Sequence, residues 1–196
     1  MSILDKIKKN STIKDASLLS QSKFFNDKDT VTTSIPAVNI ALSGSIHGGL
    51  VPGLTMFAGP SKNFKTGLSL MMAKAYMEKY SDAALLFYDS EFGMPQGYFK
   101  SFKIDTERVI HTPVTDVEQL KFDIMHQLEK VDRGDKLIIM VDSIGNLASK
   151  KEVEDVLDGK SVADMTRAKQ LKSLFRMVTP HLNLKDIPMI AVNHTY

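Results

Sequence analysis

The chain has 196 residues, 43% hydrophobic and 24% charged, enough for one globular α/β domain with a substantial core. Its 25 basic and 23 acidic side chains leave a net charge of +2, which argues neither for nor against nucleic acid, because a local patch would suffice. The lack of cysteine excludes disulfides and thiolate metal sites, and no apolar run approaches membrane-spanning length. The N-terminus carries lysines without the apolar core of a signal peptide, so a soluble cytoplasmic protein is the expectation.

Residues 1–34 are polar, with Ile3, Leu4, Ile7, Leu18 and Leu19 as the residues to bury, and read as a short amphipathic helix or two outside the main core. Residues 35–196 read as that core. A turn-rich hinge, 43–53, leads into an apolar strand at Leu54–Ala58. The run 66–80 places Leu68, Leu70, Met71, Met72, Ala75 and Met77 on a broad helical face. Further strands are expected at 84–88, 109–112, 137–141 and 189–192. Helical stripes lie between them: Val117, Leu120, Ile124, Leu128 and Val131, then Ala168, Leu171, Phe175, Val178 and Leu182. Short, wholly apolar strands separated by helices indicate an α/β fold with a mainly parallel sheet covered on both faces.

Between the first strand and its helix stands Gly59-Pro60-Ser61-Lys62-Asn63-Phe64-Lys65-Thr66. A tight loop opening a helix directs backbone N–H groups and the positive helix end at one anion. Lys65 would supply charge to the β- and γ-phosphates, and the Thr66 hydroxyl would ligate Mg²⁺. Phe64 stands where such loops carry Gly, which lets backbone approach phosphate closely. Phe is accommodated there if its φ is negative and its ring points away from the ligand. The alternative is an ordinary basic turn before a helix.

Ligands of open parallel sheets bind outside the carboxyl ends of the strands. Three strands end there in polar groups: Asp89-Ser90-Glu91, Asp142-Ser143 and Asn193-His194. Asp142 suits the metal side of a Mg·NTP site, or else caps a turn. Glu91 is a candidate general base that orients a water toward a γ-phosphate, or else a solvated turn acid. His194 could sense the γ-phosphate, or be a satisfied structural residue. The five histidines show no ligand spacing, so no zinc is expected.

From Lys23 to Tyr196 the chain resembles the RecA recombinase family, most closely its members from T-even-type bacteriophages, whose phosphate loop likewise carries Phe for Gly. The resemblance is carried by residues 39–44, 59–66 and Phe87-Tyr88-Asp89-Ser90-Glu91-Phe92-Gly93. It continues through residues 141–151 and Val192-Asn193-His194-Thr195-Tyr196. It implies a RecA-like P-loop NTPase core, ATP and Mg²⁺ as cofactors, and DNA recombination and repair by homologous pairing and strand exchange. Single-stranded DNA and a homo-oligomeric helical filament are the implied partners, in the host cytoplasm where the gene is a phage's. Glu91 matches the catalytic glutamate and Asp142 the Mg²⁺-site aspartate. Tyr98 matches the aromatic that stacks on adenine, its alternative being an ordinary core tyrosine. His194 matches a Gln that couples γ-phosphate to the second DNA-binding loop. The family sheet sets the fifth strand between the phosphate-loop strand and the Asp142 strand. The first DNA-binding loop matches roughly residues 150–164. Lys150 and Lys151 are its candidate DNA contacts, although Glu152, Glu154, Asp155 and Asp158 spoil a basic stripe there. Lys169, Lys172 and Arg176 read as a solvated helix face.

Family members run well beyond Tyr196, which implies an incomplete recombinase with Leu54–Ala58 as an unpaired sheet edge. On that expectation the chain binds ATP weakly, hydrolyses little, and needs a C-terminal complementing chain for strand exchange. Two further readings stand beside it. One is a non-catalytic module that caps a filament end through the N-terminal segment as a protomer contact, with Phe24 and Phe25 as anchors. The other is a ring helicase or other ATPase of the same fold.

Overall fold

The computed structural model describes residues 2–22, 24, 29–159 and 165–195. Its sheet has five parallel strands: β1 (Gly53–Gly59), β2 (Ala84–Asp89), β3 (Val109–Pro113), β4 (Leu137–Asp142) and β5 (Pro188–His194). Their order is β1-β5-β4-β2-β3, so β5 lies between the phosphate-loop strand and the Asp142 strand, as the resemblance implied. Long helices follow β1 (α3, Lys65–Lys79) and β3 (α5, Val117–Lys130) and precede β5 (α7, Thr166–Lys185). Shorter ones are α1 (Ile3–Asn10), α2 (Pro36–Ser43), α4 (Gln96–Ser101) and α6 (Lys150–Leu157). Among the described residues no helix is long and apolar enough to cross a membrane.

Successive strand residues point to opposite faces, and both faces are covered. Leu86, Tyr88, Ile139, Val141, Met189 and Ala191 pack with Leu120, Ile124 and Leu128 of α5 and Leu174, Val178 and Leu182 of α7. Their neighbours Leu85, Phe87, Ile138, Met140 and Ile190 pack with Leu70, Met72, Tyr76 and Met77 of α3. This two-sided burial explains why the strands read as unbroken apolar runs rather than alternating ones.

Local chemistry sets the helix ends. Asp116 caps α5 by accepting the Gln119 N–H at 2.8 Å, and reciprocal Ser–acid bonds start α1 (Ser2, Asp5) and α6 (Ser149, Glu152). The periodicity does not announce α2. Its signals are Pro36 in the first turn and Gly44 in the left-handed C-cap at φ 74°. Within the span matched to the first DNA-binding loop, 150–157 is helical, because the capping box starts a helix there; Lys160 and Asp164 lie outside the described residues.

The N-terminal region behaves in two parts. Helix α1 buries none of its residues and exposes Ile3, Leu4 and Ile7. Further on, Lys79 and Tyr80 both bind the Asp29 carboxylate, Val31 pairs with Leu50, and Thr33 hydrogen-bonds Asn39. Phe24 lies under the Arg133 guanidinium, 5.1 Å from its ring centre, while Phe25 is outside the described residues.

The packing makes a direct stability contrast. Leu120→Ala, at a site with no exposure, should cost about 2–5 kcal/mol. Phe122→Ser, two residues on and 76% exposed, should stay within about 0.5 kcal/mol of the parent chain. Urea denaturation of both variants measures the difference; equal losses would contradict the assigned face of α5.

Candidate nucleotide-binding site

The loop between β1 and α3 is wound so that no side chain caps the helix start. The first backbone N–H groups of α3 have no intrahelical acceptor, the feature that helix-start anion sites use. Lys65 is 7% exposed, and its Nζ donates to the Gly59 and Pro60 carbonyls at 2.9 and 2.6 Å. Residues 61–67 line a cavity of about 300 Å³ with Glu91, Tyr98 and His194.

Phe64 departs from the expected backbone: its φ is +56°, not negative. The loop needs a left-handed residue at that point to turn into α3, which is the conformation a Gly adopts freely. Lys62, at φ +66°, is left-handed too, and each such non-glycine costs about 1–2 kcal/mol. The Phe64 ring folds back over α3, where a Cβ on Gly67 would come within 2.4 Å of it. Gly67 therefore makes room for the aromatic ring three residues before it. The ring centre lies 6.4 Å from that of Phe102, which in turn packs edge-on against Tyr98 at 5.2 Å.

At the other strand ends the carboxylates converge. Thr66 Oγ1 donates to Asp142 Oδ2 at 2.6 Å, joining the helix start to β4. Asp142 is 4% exposed, and its Oδ1 is buried without a partner. Asp89 is Asp142's register neighbour on β2. Glu91 follows, its Oε1 2.6 Å from His194 Nε2. Burial pushes the Asp142 carboxyl up to about 6, helped by the negative charges of Glu91 and Asp89 and opposed by the Thr66 hydroxyl and His194. A second cavity, about 350 Å³, is lined by Thr66, Asp89, Glu91, Tyr98 and Asp142 together with residues 93–95.

The all-oxygen donor set of Thr66 and Asp142, with one buried carboxylate oxygen unmet, fits a hard divalent cation such as Mg²⁺. No group of three or more His or acidic side chains among the described residues forms a closed metal cage. That also suits Mg²⁺, which takes one or two protein groups and completes its shell with phosphates and water.

The structure thus brings together Lys65, Thr66, Glu91, Tyr98, Asp142 and His194. Lys150 and Lys151 stand apart at the exposed start of α6 and line neither cavity. Sequence reasoning named Ser90 and Ser143 only as polar strand-end residues and missed that they exchange bonds: Ser90 Oγ donates to the Ser143 carbonyl at 2.6 Å and accepts the Ser143 N–H at 3.0 Å. It missed Arg167 as well, whose guanidinium holds the carbonyls of Ile144, Gly145 and Leu147. The adjacency of Ser90 to Glu91 and of Ser143 to Asp142 was the available signal. Nothing in the pattern of α7 announces Arg167.

The family model for the RecA N-terminal domain matches residues 2–195, and the chain belongs to that family. It is similar to the "Recombination and repair protein" of Enterobacteria phage T4, with 57% identity over 188 residues, covering 96% of this chain and 48% of that protein. The chain spans about half the length of that relative.

Because the folded Asp142 binds its proton more tightly than an unfolded Asp, its protonated form stabilises the fold. That contribution is complete below the ordinary value of 3.8 and is lost as pH rises through about 6. Asp142→Asn should therefore melt higher than the metal-free parent at pH 8, by on the order of 2 kcal/mol, with the gap closing toward pH 4. Thermal melts across that range check it, and a gap that widens as pH falls would reverse the assignment.

Proposed function

We propose that this chain is the ATP-binding portion of a DNA recombinase, and that residues 59–66, Glu91, Tyr98, Asp142 and His194 form its ATPase site. The observation that carries this is the Thr66–Asp142 bond, beside a buried carboxylate oxygen that has no partner, at the mouth of an uncapped helix. Membership of the RecA N-terminal domain family and the likeness to a phage recombination and repair protein support it.

In this reading the backbone of residues 59–66 cradles the phosphates, and Lys65 exchanges its two carbonyl partners for phosphate oxygens. Tyr98 offers its face to the base. Thr66 and Asp142 would hold Mg²⁺, which would offset phosphate charge when bound. Glu91 orients a water in line with the γ-phosphate and takes its proton as the water oxygen bonds to phosphorus and the β–γ bridging oxygen departs. In the same reading His194, paired with Glu91 at 2.6 Å, senses the state of the γ-phosphate. Filament assembly on single-stranded DNA and strand exchange belong to the same proposal and rest on the family alone.

A second reading, a module that caps a filament end, draws on α1, whose Ile3, Leu4 and Ile7 are exposed with none of the helix buried. Phe24 is not free to act as its anchor, being engaged by Arg133.

Lys65→Ala should lose binding of a fluorescent ATP analogue, since it removes the charge nearest the transferred phosphate. Glu91→Gln should keep that binding and stop phosphate release. Undiminished nucleotide binding by Lys65→Ala would falsify the site, whereas strand-exchange poisoning by a chain that binds no ATP favours the capping module.

A further inference from the structure

We infer that His111, on the edge strand β3, is a positioning residue for Glu91. The task given to Glu91 rests on the ATPase reading above; the clamp that holds it does not.

Glu91 lies in a turn that is fixed at Ser90, whose N–H donates to the Asp142 carbonyl at 2.9 Å, and whose next two N–H groups are held by a single carboxylate. Asp89 Oδ1 accepts the N–H groups of both Glu91 and Phe92, at 2.9 and 2.8 Å. Phe92 is left-handed at φ +54°, a conformation that persists only where surrounding bonds hold it. The orientation of the Asp89 carboxylate therefore decides where Glu91 points. Its Oδ2 lies 3.2 Å from His111 Nε2, and because a carboxylate only accepts, that nitrogen is the donor. The imidazole is itself fixed by stacking on Phe87, with ring centres 5.5 Å apart and planes 24° apart.

The Asp89 side chain is 5% exposed and that of His111 is 52% exposed. Removing the imidazole thus takes little from the core, but it leaves a buried carboxylate oxygen short of a partner and free to rotate toward another. Rotation would draw Oδ1 away from the Glu91 and Phe92 N–H groups. At the far end of this relay, Glu91 Oε1 meets His194 Nε2 at 2.6 Å on β5. A change on the outermost strand is therefore read at a histidine three strands away, since the order runs β5-β4-β2-β3.

The test compares His111→Ala, His111→Gln and Glu91→Gln in the 196-residue chain, using the ring resonances of His194 and the turnover of MgATP. In His111→Ala the His194 resonances should move toward those of Glu91→Gln while the unfolding midpoint holds. Turnover per bound MgATP should fall about tenfold or more, with nucleotide affinity within about twofold of the parent. His111→Gln, whose side-chain N–H reaches the same oxygen, should restore both readouts. Unmoved His194 resonances in His111→Ala, or turnover that falls only in step with affinity, overturns the proposal. A parent chain that binds no MgATP defeats the ATPase reading alone, because the His194 spectra need no nucleotide and still decide the clamp.

Discussion

The hydrogen bond from Thr66 Oγ1 to Asp142 Oδ2 joins residues 76 positions apart and sets where α3 stands against the end of β4. It leaves Asp142 half satisfied: one oxygen bonded, the other buried with nothing to accept from. Burying a carboxylate this way is costly, and its preference for the proton, up to about 6, expresses that cost. The fold therefore holds an electrostatic demand at the point where helix start and strand end meet. On the proposed function, polyphosphate and its cation supply what the protein alone does not.

The loops around that point share a second property. Lys62, Phe64 and Phe92 are left-handed without being glycine; Lys62 and Phe64 line the phosphate-loop cavity, and Phe92 follows Glu91, which lines both cavities. Strain gathered at loops over a regular sheet is typical of sites whose backbone is held in one conformation for a ligand. Here the holding groups can be named. Asp89 fastens the Phe92 turn through two N–H bonds, and the Phe64 ring rests on the bare Cα of Gly67. Phe64 thus departs from the usual phosphate loop in its side chain but not in its backbone. The left-handed turn that glycine normally makes is still made, and the space for the extra ring comes from a glycine one turn into the helix.

Much of this was legible in the amino-acid sequence, for an identifiable reason. Strands buried on both faces leave unbroken apolar runs, and all five were located from those runs, each lacking one to three terminal residues. Asp89, Asp142 and the pair Asn193 and His194 were the residues omitted from three strand ends, because polar side chains end an apolar run while the ladder continues through them. Helix α2 escaped notice since only Asn39 of its eight residues is buried, so it carries no stripe. The site residues were legible where chemistry is local, as in residues 59–66. Strand-end placement also made Glu91, Asp142 and His194 legible, whereas the supporting contacts between distant elements were not. His111 to Asp89 spans 22 residues and Arg167 to Leu147 spans 20, with no spacing rule to connect them.

Register converts those distant residues into one site. In the parallel ladder Gly59 stands beside His194 and Asp89 beside Asp142, and Val141 stands beside Ala191, so β1 and β5 run on past the ends of β2 and β4 at the same edge of the sheet. Two carboxylates side by side repel, and each is answered differently. Asp89 is surrounded by donors from its own turn and from β3, whereas Asp142 has one hydroxyl and an open oxygen. Gly145 lets the β4 loop come close to β5, since a Cβ there would meet the His194 backbone N at 3.1 Å. A slip of one residue in β5 would turn His194 to the opposite face and bury Asn193 in its place. The pairing of Glu91 with His194 is therefore a consequence of the hydrophobic register of Met189, Ile190 and Ala191, which pack alternately against α7 and α3 in the core. Core and site are specified by the same alternation.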